Sequence, residues 1–262
     1  MKNRPVRFSA IAVAVLLAVL AGGCATSAPP APAPDLEVLR VGFAPNYPPV
    51  CMEAAGQPVG LEADFAEAFA KELGCRLEIV QMDFDDLFPA LLGGRVDILM
   101  SGLTVTPQRA YKVRFCTPYL SNPLVAVTRA GWARSYASAS QVLALNASIG
   151  VLRHTYGETF VRKHCLRARV VPIVEYDNVP QDLEDNRYSI YVDDLAAILD
   201  LSAKHPGLLE VIPYPLQQQD IAWAVHPDNA SLLSAANATI DKWKASGKLD
   251  ETLDKWLPDR FR

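Results

Sequence analysis

The chain has 262 residues, half of them hydrophobic, and a formal net charge of −4. An acidic chain without a basic patch is a poor partner for nucleic acid, because nucleic-acid-binding proteins hold phosphates with clustered Lys and Arg. The composition is that of a globular protein without internal repeats, and the length beyond residue 36 suffices for two modest lobes with separate cores.

Residues 1–24 have the pattern of an export signal. Three basic residues precede an unbroken apolar run from Ile11 to Leu20, which is shorter than the ~20 residues that a membrane span needs. The run ends in Leu20-Ala21-Gly22-Gly23-Cys24, which resembles a lipoprotein cleavage box, so we expect lipid on Cys24. Ordinary cleavage and release of a free protein is the alternative. Residues 25–36 are rich in Pro and Ala and predict a semi-rigid tether.

The next part of the chain alternates strands and helices. We predict strands at 39–43, 76–81 and 96–100, with helices at 62–73 and 85–92. Apolar residues recur at helical spacing in the first helix: Leu61, Phe65, Phe69 and Leu73. This βαβαβ order indicates an α/β fold with a mainly parallel sheet, in which ligands bind outside the carboxyl ends of the strands.

The stretch Ser101–Arg109 follows the third of these strands and is the best candidate for a binding site. Thr106 and Pro107 are typical of a helix N-cap and first helical position. Exposed N–H groups, hydroxyls and the Arg109 guanidinium would together suit a carboxylate. A surface turn with a solvated arginine is the alternative.

A second α/β region follows an extended segment at 120–129. We predict strands at 148–152, 169–173 and 188–192, and a helix that begins at Tyr156. Asp193 and Asp194 come next and could cap a helix at 195–201. Finally, a strand at 221–225 precedes a long helix at 231–245 that ends before Gly247.

The sequence lacks the usual catalytic and metal-binding motifs. The four histidines show no metal-ligand spacing. Adjacent residues of a strand face opposite sides, so we expect Asp193 and Asp194 not to act as a paired acid and base. We therefore expect no metal, no cofactor and no enzymatic activity. The remaining cysteines are expected as single buried thiols, with one disulfide possible: Cys51, Cys75, Cys116 and Cys165.

Four ordered motifs carry a resemblance to a known family: LRVGFAPNYPPV (39–50), PVGLEADFAEAFAKELG (58–74), MDFDDLFPALLGGRVDILMSGLTVTPQR (82–109) and FCTPYLSNPLVAV (115–127). The chain resembles the bacterial extracellular solute-binding proteins of family 3, which feed polar amino acids to ABC transporters. The resemblance is weaker at 148–160 and 192–199 and strong again at 221–229.

The resemblance implies a two-lobed, type 2 periplasmic-binding-protein-like fold with a ligand cleft between the lobes. Lobe 1 would comprise residues 37–121 and 219–262, and lobe 2 residues 122–218, with hinges near 120–122 and 218–220. The implied protein is a monomeric lipoprotein of the periplasm or cell surface. Its implied partners are a small ligand, most simply an amino acid, an ABC transporter permease, and the membrane through the lipid.

The resemblance also assigns roles to individual residues in the first half. Arg109 would bind the ligand's α-carboxylate, assisted by the Thr104 hydroxyl and by backbone at Gly102 and Thr104. Tyr47 and Phe84 fall where family members place aromatic rings against the ligand side chain, although either could be a core residue.

In the second half, Thr155 matches the threonine of a Gly-Thr signature, in which His154 replaces the glycine. Asp193 matches the family's amine-binding carboxylate when the following Leu-Ala-Ala is the anchor, whereas a count from Arg187 selects Asp194. Ala44 stands where some relatives carry an aspartate for cationic side chains, which argues against a specialist for Lys, Arg or His. A less polar ligand is also favoured by two apolar residues at positions that are polar in glutamine-type relatives: Leu152 and Val192.

Two other functions fit the same resemblance. One is an enzyme of the cyclohexadienyl dehydratase kind, which uses the same cleft for elimination and would turn over prephenate or arogenate. The other is a sensory lipoprotein that signals to a membrane partner. Neighbouring genes for a permease and an ATPase would favour transport over sensing.

Overall fold

The computed structural model describes residues 37–257. The predicted signal at 1–24, with its lipidation site Cys24, and the predicted tether at 25–36 lie outside these residues. No helix within the described range is both long enough and apolar enough to cross a membrane.

The described chain is an alternation of short strands and helices. The strands are β1 (Val38–Phe43), β2 (Met52–Ala54), β3 (Gln57–Val59), β4 (Arg76–Gln81), β5 (Ile98–Leu99), β6 (Arg114–Phe115), β7 (Leu120–Ser121), β8 (Leu124–Arg129), β9 (Ser148–Leu152), β10 (Arg169–Ile173), β11 (Ile190–Asp194), β12 (Leu209–Gln217), β13 (Asp220–Ile221) and β14 (Ala224–Val225). The α-helices are α1 (Leu61–Leu73), α2 (Leu87–Leu92), α3 (Pro107–Ala110), α4 (Ala139–Leu143), α5 (Tyr156–His164), α6 (Val179–Glu184), α7 (Leu195–Lys204), α8 (Ala230–Ser246) and α9 (Lys248–Trp256). Short 3₁₀ turns cover Phe84–Asp86, Ala133–Ser135 and Tyr176–Asn178.

The first sheet has the strand order β4-β1-β5-β14-β6. Strand β1 pairs in parallel with β4 and β5, as the βαβαβ order predicts, and β14 joins in antiparallel orientation. Helix α1 packs its apolar face on this sheet, because Leu61, Phe65 and Phe69 recur at helical spacing and are fully buried. The helix ends at Gly74, whose φ of 71° suits the left-handed cap.

The second sheet has the order β10-β9-β11-β8-β12. Strand β9 is parallel to β10 and β11, whereas β8 is antiparallel to β11 and β12. Buried side chains of β8, β9 and β11, such as Val125, Val151 and Ile190, lie in the cores around this sheet.

Two segments of chain connect the sheets. β7 lies between β6 of the first sheet and β8 of the second, and β13 lies between β12 and β14. The two segments pair with each other in antiparallel orientation, Asp220 opposite Ser121 and Ile221 opposite Leu120. This mixed α/β architecture with two main sheets confirms the predicted α/β fold class.

Several predicted elements differ in extent. The helix at 85–92 is a 3₁₀ turn followed by α2, and the strand at 96–100 is reduced to Ile98–Leu99. The strand at 188–192 is shifted to Ile190–Asp194, so both aspartates belong to β11. The strand at 221–225 is divided into β13 and β14.

Asp194 occupies the N-cap position of α7, but its side chain makes no capping hydrogen bond. The prediction that this side chain caps the helix is therefore wrong.

The four described cysteines are free thiols, and the alternative with one disulfide is not present among them. Cys51, Cys116 and Cys165 are buried, as predicted, whereas Cys75 is only partly buried.

Candidate functional site

A cavity of about 390 Å³ lies where the loops after β1 and β5 face the carboxyl ends of β9, β10 and β11. The carboxyl ends of parallel strands are the usual place for a ligand in an α/β protein. All seven residues that were predicted to bind a ligand line this cavity: Tyr47, Phe84, Gly102, Thr104, Arg109, Thr155 and Asp193. Ala44 and Val192 are instead buried and are not among the described residues that line it, whereas Leu152 is.

Arg109 is held in place by its own neighbours in the sequence. Thr106 is the N-cap of α3, and its Oγ1 accepts a hydrogen bond from the Arg109 backbone N–H at 3.2 Å. The guanidinium Nη1 donates to the Thr104 carbonyl oxygen at 3.0 Å. Because a guanidinium carries five N–H donors in a fixed fork, this one bond leaves donors for a carboxylate.

Two aromatic rings flank the same guanidinium. Its central carbon lies 5.4 Å from the ring centroid of Phe84 and 5.6 Å from that of Phe88, distances at which a cation is attracted by the ring. Burial lowers the pKa of Arg109, while the nearby Asp194 carboxyl raises it. An arginine stays charged under such influences, so the cavity contains a fixed positive charge.

The turn Ser101–Thr104 is fixed by bonds to the residue that follows β1 and to helix α1. The Ala44 N–H donates to Ser101 Oγ at 2.9 Å, and the Gly102 N–H donates to Glu62 Oε1 at 2.8 Å. Gly102 has a φ of 61°, and a Cβ there would lie 2.6 Å from ring atoms of Tyr47. Glycine is therefore required at this position for both its conformation and its lack of a side chain.

These bonds correct part of the predicted carboxylate site. The Gly102 N–H was expected to be free for a ligand, but it is directed at the buried Glu62. The Thr104 hydroxyl donates to Gln219 Oε1 at 3.0 Å, so it must rotate to meet a carboxylate.

Tyr47 forms part of the wall between the two sheets. Its hydroxyl accepts a hydrogen bond from Asn122 Nδ2 at 2.8 Å, and Asn122 lies directly after β7. Burial and the nearby carboxyls of Asp194 and Asp193 raise the pKa of Tyr47 well above its usual value, so the ring stays a neutral phenol. Tyr156 and Tyr176 add further aromatic surface.

Asp193 and Asp194 both line the cavity, although the alternation of a strand predicts opposite faces. Asp193 accepts from the Tyr191 hydroxyl and, at 2.9 Å, from the Asp194 N–H. Asp194 accepts from Gln219 Nε2. The alternation fails because β11 ends at Asp194, where the backbone leaves the sheet to begin α7.

The two carboxyls have an unusual electrostatic environment. Burial raises the pKa of Asp193 above its ordinary value, and burial together with the charge of Asp193 raises that of Asp194. Both groups therefore hold a proton at a higher pH than an exposed aspartate does.

Thr155 and His154 lie at the carboxyl end of β9. Thr155 is the N-cap of α5, where its hydroxyl accepts from the Glu158 N–H at 3.3 Å and donates to the Leu152 carbonyl oxygen at 2.8 Å. His154 has a φ of 63°, the left-handed conformation that favours the glycine expected here. Its Nδ1 lies 2.5 Å from Asp85 Oδ2, which belongs to the first-sheet side of the cavity.

Sequence reasoning missed Gln219 and Glu62. Gln219 contacts Thr104 on one side and Asp194 on the other; a polar residue at a predicted chain crossing was the available signal. Glu62 lies on the apolar side of α1 and is fully buried; a carboxylate beside Leu61 and Phe65 was the signal. Among the residues that the structure describes, no group of three or more His, Cys, Asp or Glu could hold a metal ion.

The two sheets, the paired crossings and the cavity define the fold of type 2 periplasmic binding proteins. The sequence model of the bacterial extracellular solute-binding proteins, family 3, matches residues 39–259, and the chain belongs to this family.

Individual relatives support the same assignment. The chain is 29% identical over 248 residues to the putative ABC transporter arginine-binding protein 2 of Escherichia coli, with 93% of this chain and 98% of the relative covered. It is 27% identical over 234 residues to the cyclohexadienyl dehydratase of Pseudomonas aeruginosa, with 86% of this chain and 84% of that enzyme covered. An ancestral arginine-binding protein bound to glutamine superimposes with a TM-score of 0.75 at 28% identity, over 86% of this chain and 99% of that structure.

Proposed function

We propose that the protein captures a free amino acid in this cavity and delivers it to an ABC transporter permease. The observation that carries the proposal is the pairing of charges in one cavity. Arg109 enters from the first-sheet side, and Asp193 and Asp194 enter from the second-sheet side. An amino acid carries a carboxylate and an ammonium group within a few ångströms of each other, so its main-chain groups match these charges.

Each lining residue then has a defined role. Arg109 receives the carboxylate, with Thr104 beside it. Gly102 lines the site without donating its N–H, which is directed at Glu62. Asp193 receives the ammonium group in preference to Asp194. Tyr47 and Phe84 contact the ligand side chain. Thr155 contributes from the start of α5. A cavity of about 390 Å³ falls within the usual range for small-molecule sites.

The charge of the cavity bears on which amino acid it takes. Asp193 and Asp194 face a single, partly buried guanidinium, and the exposed Asp83, Asp85 and Arg153 also line the cavity. A zwitterionic ligand adds no net charge, so one of the two carboxyls is left without a positive partner. Its charge must be balanced either by a proton bound to the aspartates or by a second positive charge on the ligand. Relatives named for arginine binding are consistent with the second possibility, whereas Ala44 favours a neutral ligand.

The two-lobed division at 37–121 with 219–262, and 122–218, forms part of this proposal. The β7 and β13 crossings would act as hinges, and closure would bring the two sets of charges onto the ligand. Asn122 and Gln219 lie at these crossings and bond to Tyr47 and Asp194, respectively, which couples the hinges to the proposed ligand contacts.

The lipid anchor on Cys24 is also part of the proposal, and it rests on the cleavage box alone. The full-length protein should partition into detergent, and Cys24→Ser should abolish lipidation and processing at this site. A wild-type mature protein with an unmodified N-terminus, found wholly in the aqueous phase, would refute the anchor.

The proposed capture is tested by thermal unfolding of the wild-type protein with each free amino acid and with the corresponding amino acid amide. A ligand at 100 times its dissociation constant stabilises the folded state by about 2.7 kcal/mol. We expect at least one acid to do so and its amide, which lacks the carboxylate, to fail. An amide that stabilises as well as its acid would contradict the carboxylate site.

An elimination enzyme is the second candidate, and the placement of both aspartates in one cavity favours it. Two carboxyls with raised pKa values provide a proton donor and acceptor, and one relative is named as a dehydratase. Incubation with prephenate and arogenate, followed by chromatography of the products, distinguishes the two functions. Turnover that is lost in both Asp193→Asn and Asp194→Asn would favour the enzyme.

A further inference from the structure

Glu62 is a buried carboxyl that the proposed ligand site does not use. It is the second residue of α1 and has no solvent exposure. Its oxygens accept three hydrogen bonds: from the Gly102 N–H at 2.8 Å, from the Tyr119 hydroxyl at 2.6 Å and from Trp223 Nε1 at 2.8 Å. Burial of a carboxyl is costly because the group loses its hydration, so its presence here calls for a structural explanation.

The three donors come from three separate segments of the chain. Gly102 belongs to the turn that carries the proposed carboxylate site, Tyr119 directly precedes β7, and Trp223 lies between β13 and β14. One carboxyl thus connects the ligand turn to both chain crossings. Tyr119 and Trp223 also pack against Phe65, so these donors are held in a rigid aromatic core.

The position of Gly102 has a direct effect on the cavity. Its N–H is directed at Glu62, and a Cβ on this residue would lie 2.6 Å from ring atoms of Tyr47, so no side chain would fit. A shift of this turn would therefore displace both Tyr47 and Thr104, which line the cavity.

We propose that Glu62 is a positioning residue, which holds the Ser101–Thr104 turn in its ligand-binding conformation and fixes that turn to both crossings. This inference rests on the proposed amino-acid binding, and Glu62 itself does not touch the ligand. Only a carboxylate serves, because two acceptor oxygens meet three donors. Glutamine has one acceptor oxygen, and its NH₂ group would face a donor in either orientation.

Opposing influences act on the pKa of Glu62. Burial raises its pKa to about 7, although the bonds from Tyr119, Gly102 and Trp223 act to lower it.

The test compares Glu62→Gln with Glu72→Gln. Glu72 is a matched control because it lies on the same helix, accepts from a tryptophan indole, Trp243 Nε1 at 3.4 Å, and lies outside the cavity. Two quantities are measured: the dissociation constants for L-arginine and L-glutamine, and the exchange rate of the Gly102 amide by NMR without ligand. We expect Glu62→Gln to keep its circular dichroism spectrum, to bind at least tenfold more weakly and to exchange Gly102 at least tenfold faster. Glu72→Gln should change neither quantity.

The possible outcomes separate this inference from the proposed function. If the wild type binds neither probe nor any other free amino acid, the proposed function fails, and ligand positioning fails with it. If the wild type binds while Glu62→Gln binds equally well, or keeps Gly102 protected, only the role of Glu62 is refuted. Should Glu62→Gln not fold, Tyr119→Phe decides the question, since it removes one donor and keeps the ring. It should weaken binding about threefold or more and speed Gly102 exchange, and an unchanged Tyr119→Phe would refute the inference.

Discussion

Two charged groups on opposite sides of the cavity, Arg109 and Asp194, are held in place in different ways. On the first-sheet side, Arg109 bonds to Thr104 and Thr106, which are five and three residues away in the sequence. On the second-sheet side, Asp194 bonds to Gln219, which is 25 residues away, and His154 to Asp85, which is 69 residues away.

This difference has a physical consequence. Arg109 is oriented by its own turn, so it should be ready for a carboxylate whether or not the two sheets approach each other. Asp194 and His154 acquire their partners only when distant segments come together. We therefore expect Arg109 to provide the main binding energy and Asp194 to respond to closure, pH and ligand charge.

The largest expected effect is that of Arg109→Ala. Truncation leaves the ligand carboxylate unpaired in a closed cavity, and such losses cost about 2–5 kcal/mol, roughly thirty-fold to several-thousand-fold in affinity. Arg109→Lys should also bind more weakly, because an ammonium group cannot reproduce the bidentate fork. Calorimetric titration with an amino acid that stabilises the wild type measures both, and Arg114→Ala, an exposed arginine on β6, is the control. Wild-type affinity in Arg109→Ala would place the carboxylate site elsewhere.

A smaller effect is expected from the pH dependence of ligand choice. The raised pKa values mean that Asp193 and Asp194 lose their protons at a higher pH than exposed aspartates do. As the pH rises from about 5 to 8, the cavity therefore becomes more negative and should increasingly prefer a cationic ligand to a neutral one. The ratio of affinities for L-arginine and L-glutamine should increase, by at most about tenfold per pH unit for each linked proton.

Substitutions of individual aspartates check this second prediction. Asp194→Asn should reduce the slope of the affinity ratio against pH, whereas Asp83→Asn, at an exposed position on the cavity rim, should not. A ratio that stays constant across the range would show that the aspartates do not titrate there, and the second side would then be as fixed as the first.

The same difference explains how much of the site could be predicted. The Ser101–Arg109 turn is determined by neighbours: glycines bound the strand, and Thr106 with Pro107 starts α3. Local rules describe such features well. The fold class also followed from the order of strands and helices, because βαβαβ segments favour a parallel sheet.

The remainder depends on contacts between distant residues. Gln219 lies 115 residues from Thr104, and Glu62 lies 40, 57 and 161 residues from its three donors. A single sequence does not show such pairings. The direction of the Asp194 side chain was predicted wrongly for a different reason, since the alternation rule applies within a strand and not at the residue where the strand ends.

The smallest expected effect concerns the backbone of His154. Its φ of 63° costs a residue with a Cβ about 1–2 kcal/mol of stability. Glycine avoids this cost, but its greater freedom in the unfolded chain offsets about 0.5–1 kcal/mol of the gain. We therefore compare His154→Gly with His154→Ala, which both lack the imidazole and its contact with Asp85. His154→Gly should be more stable by roughly 0.5–1 kcal/mol, a difference of up to about 4 °C in the midpoint of thermal unfolding.

Ala55→Gly is the matched control for this comparison, because Ala55 also has a positive φ of 51° and is exposed outside the cavity. If strain at the backbone is the whole effect, the gain in stability of Ala55→Gly should equal the difference in stability between the two His154 variants.

Adding the ligand extends the test to the second side of the cavity. Loss of the His154 contact with Asp85 should weaken binding only slightly, since both groups are half exposed and such pairs contribute about 0–1 kcal/mol. A His154→Gly variant no more stable than His154→Ala would contradict the assignment of strain. A large loss of affinity in both would show that this side of the cavity provides as much binding energy as Arg109.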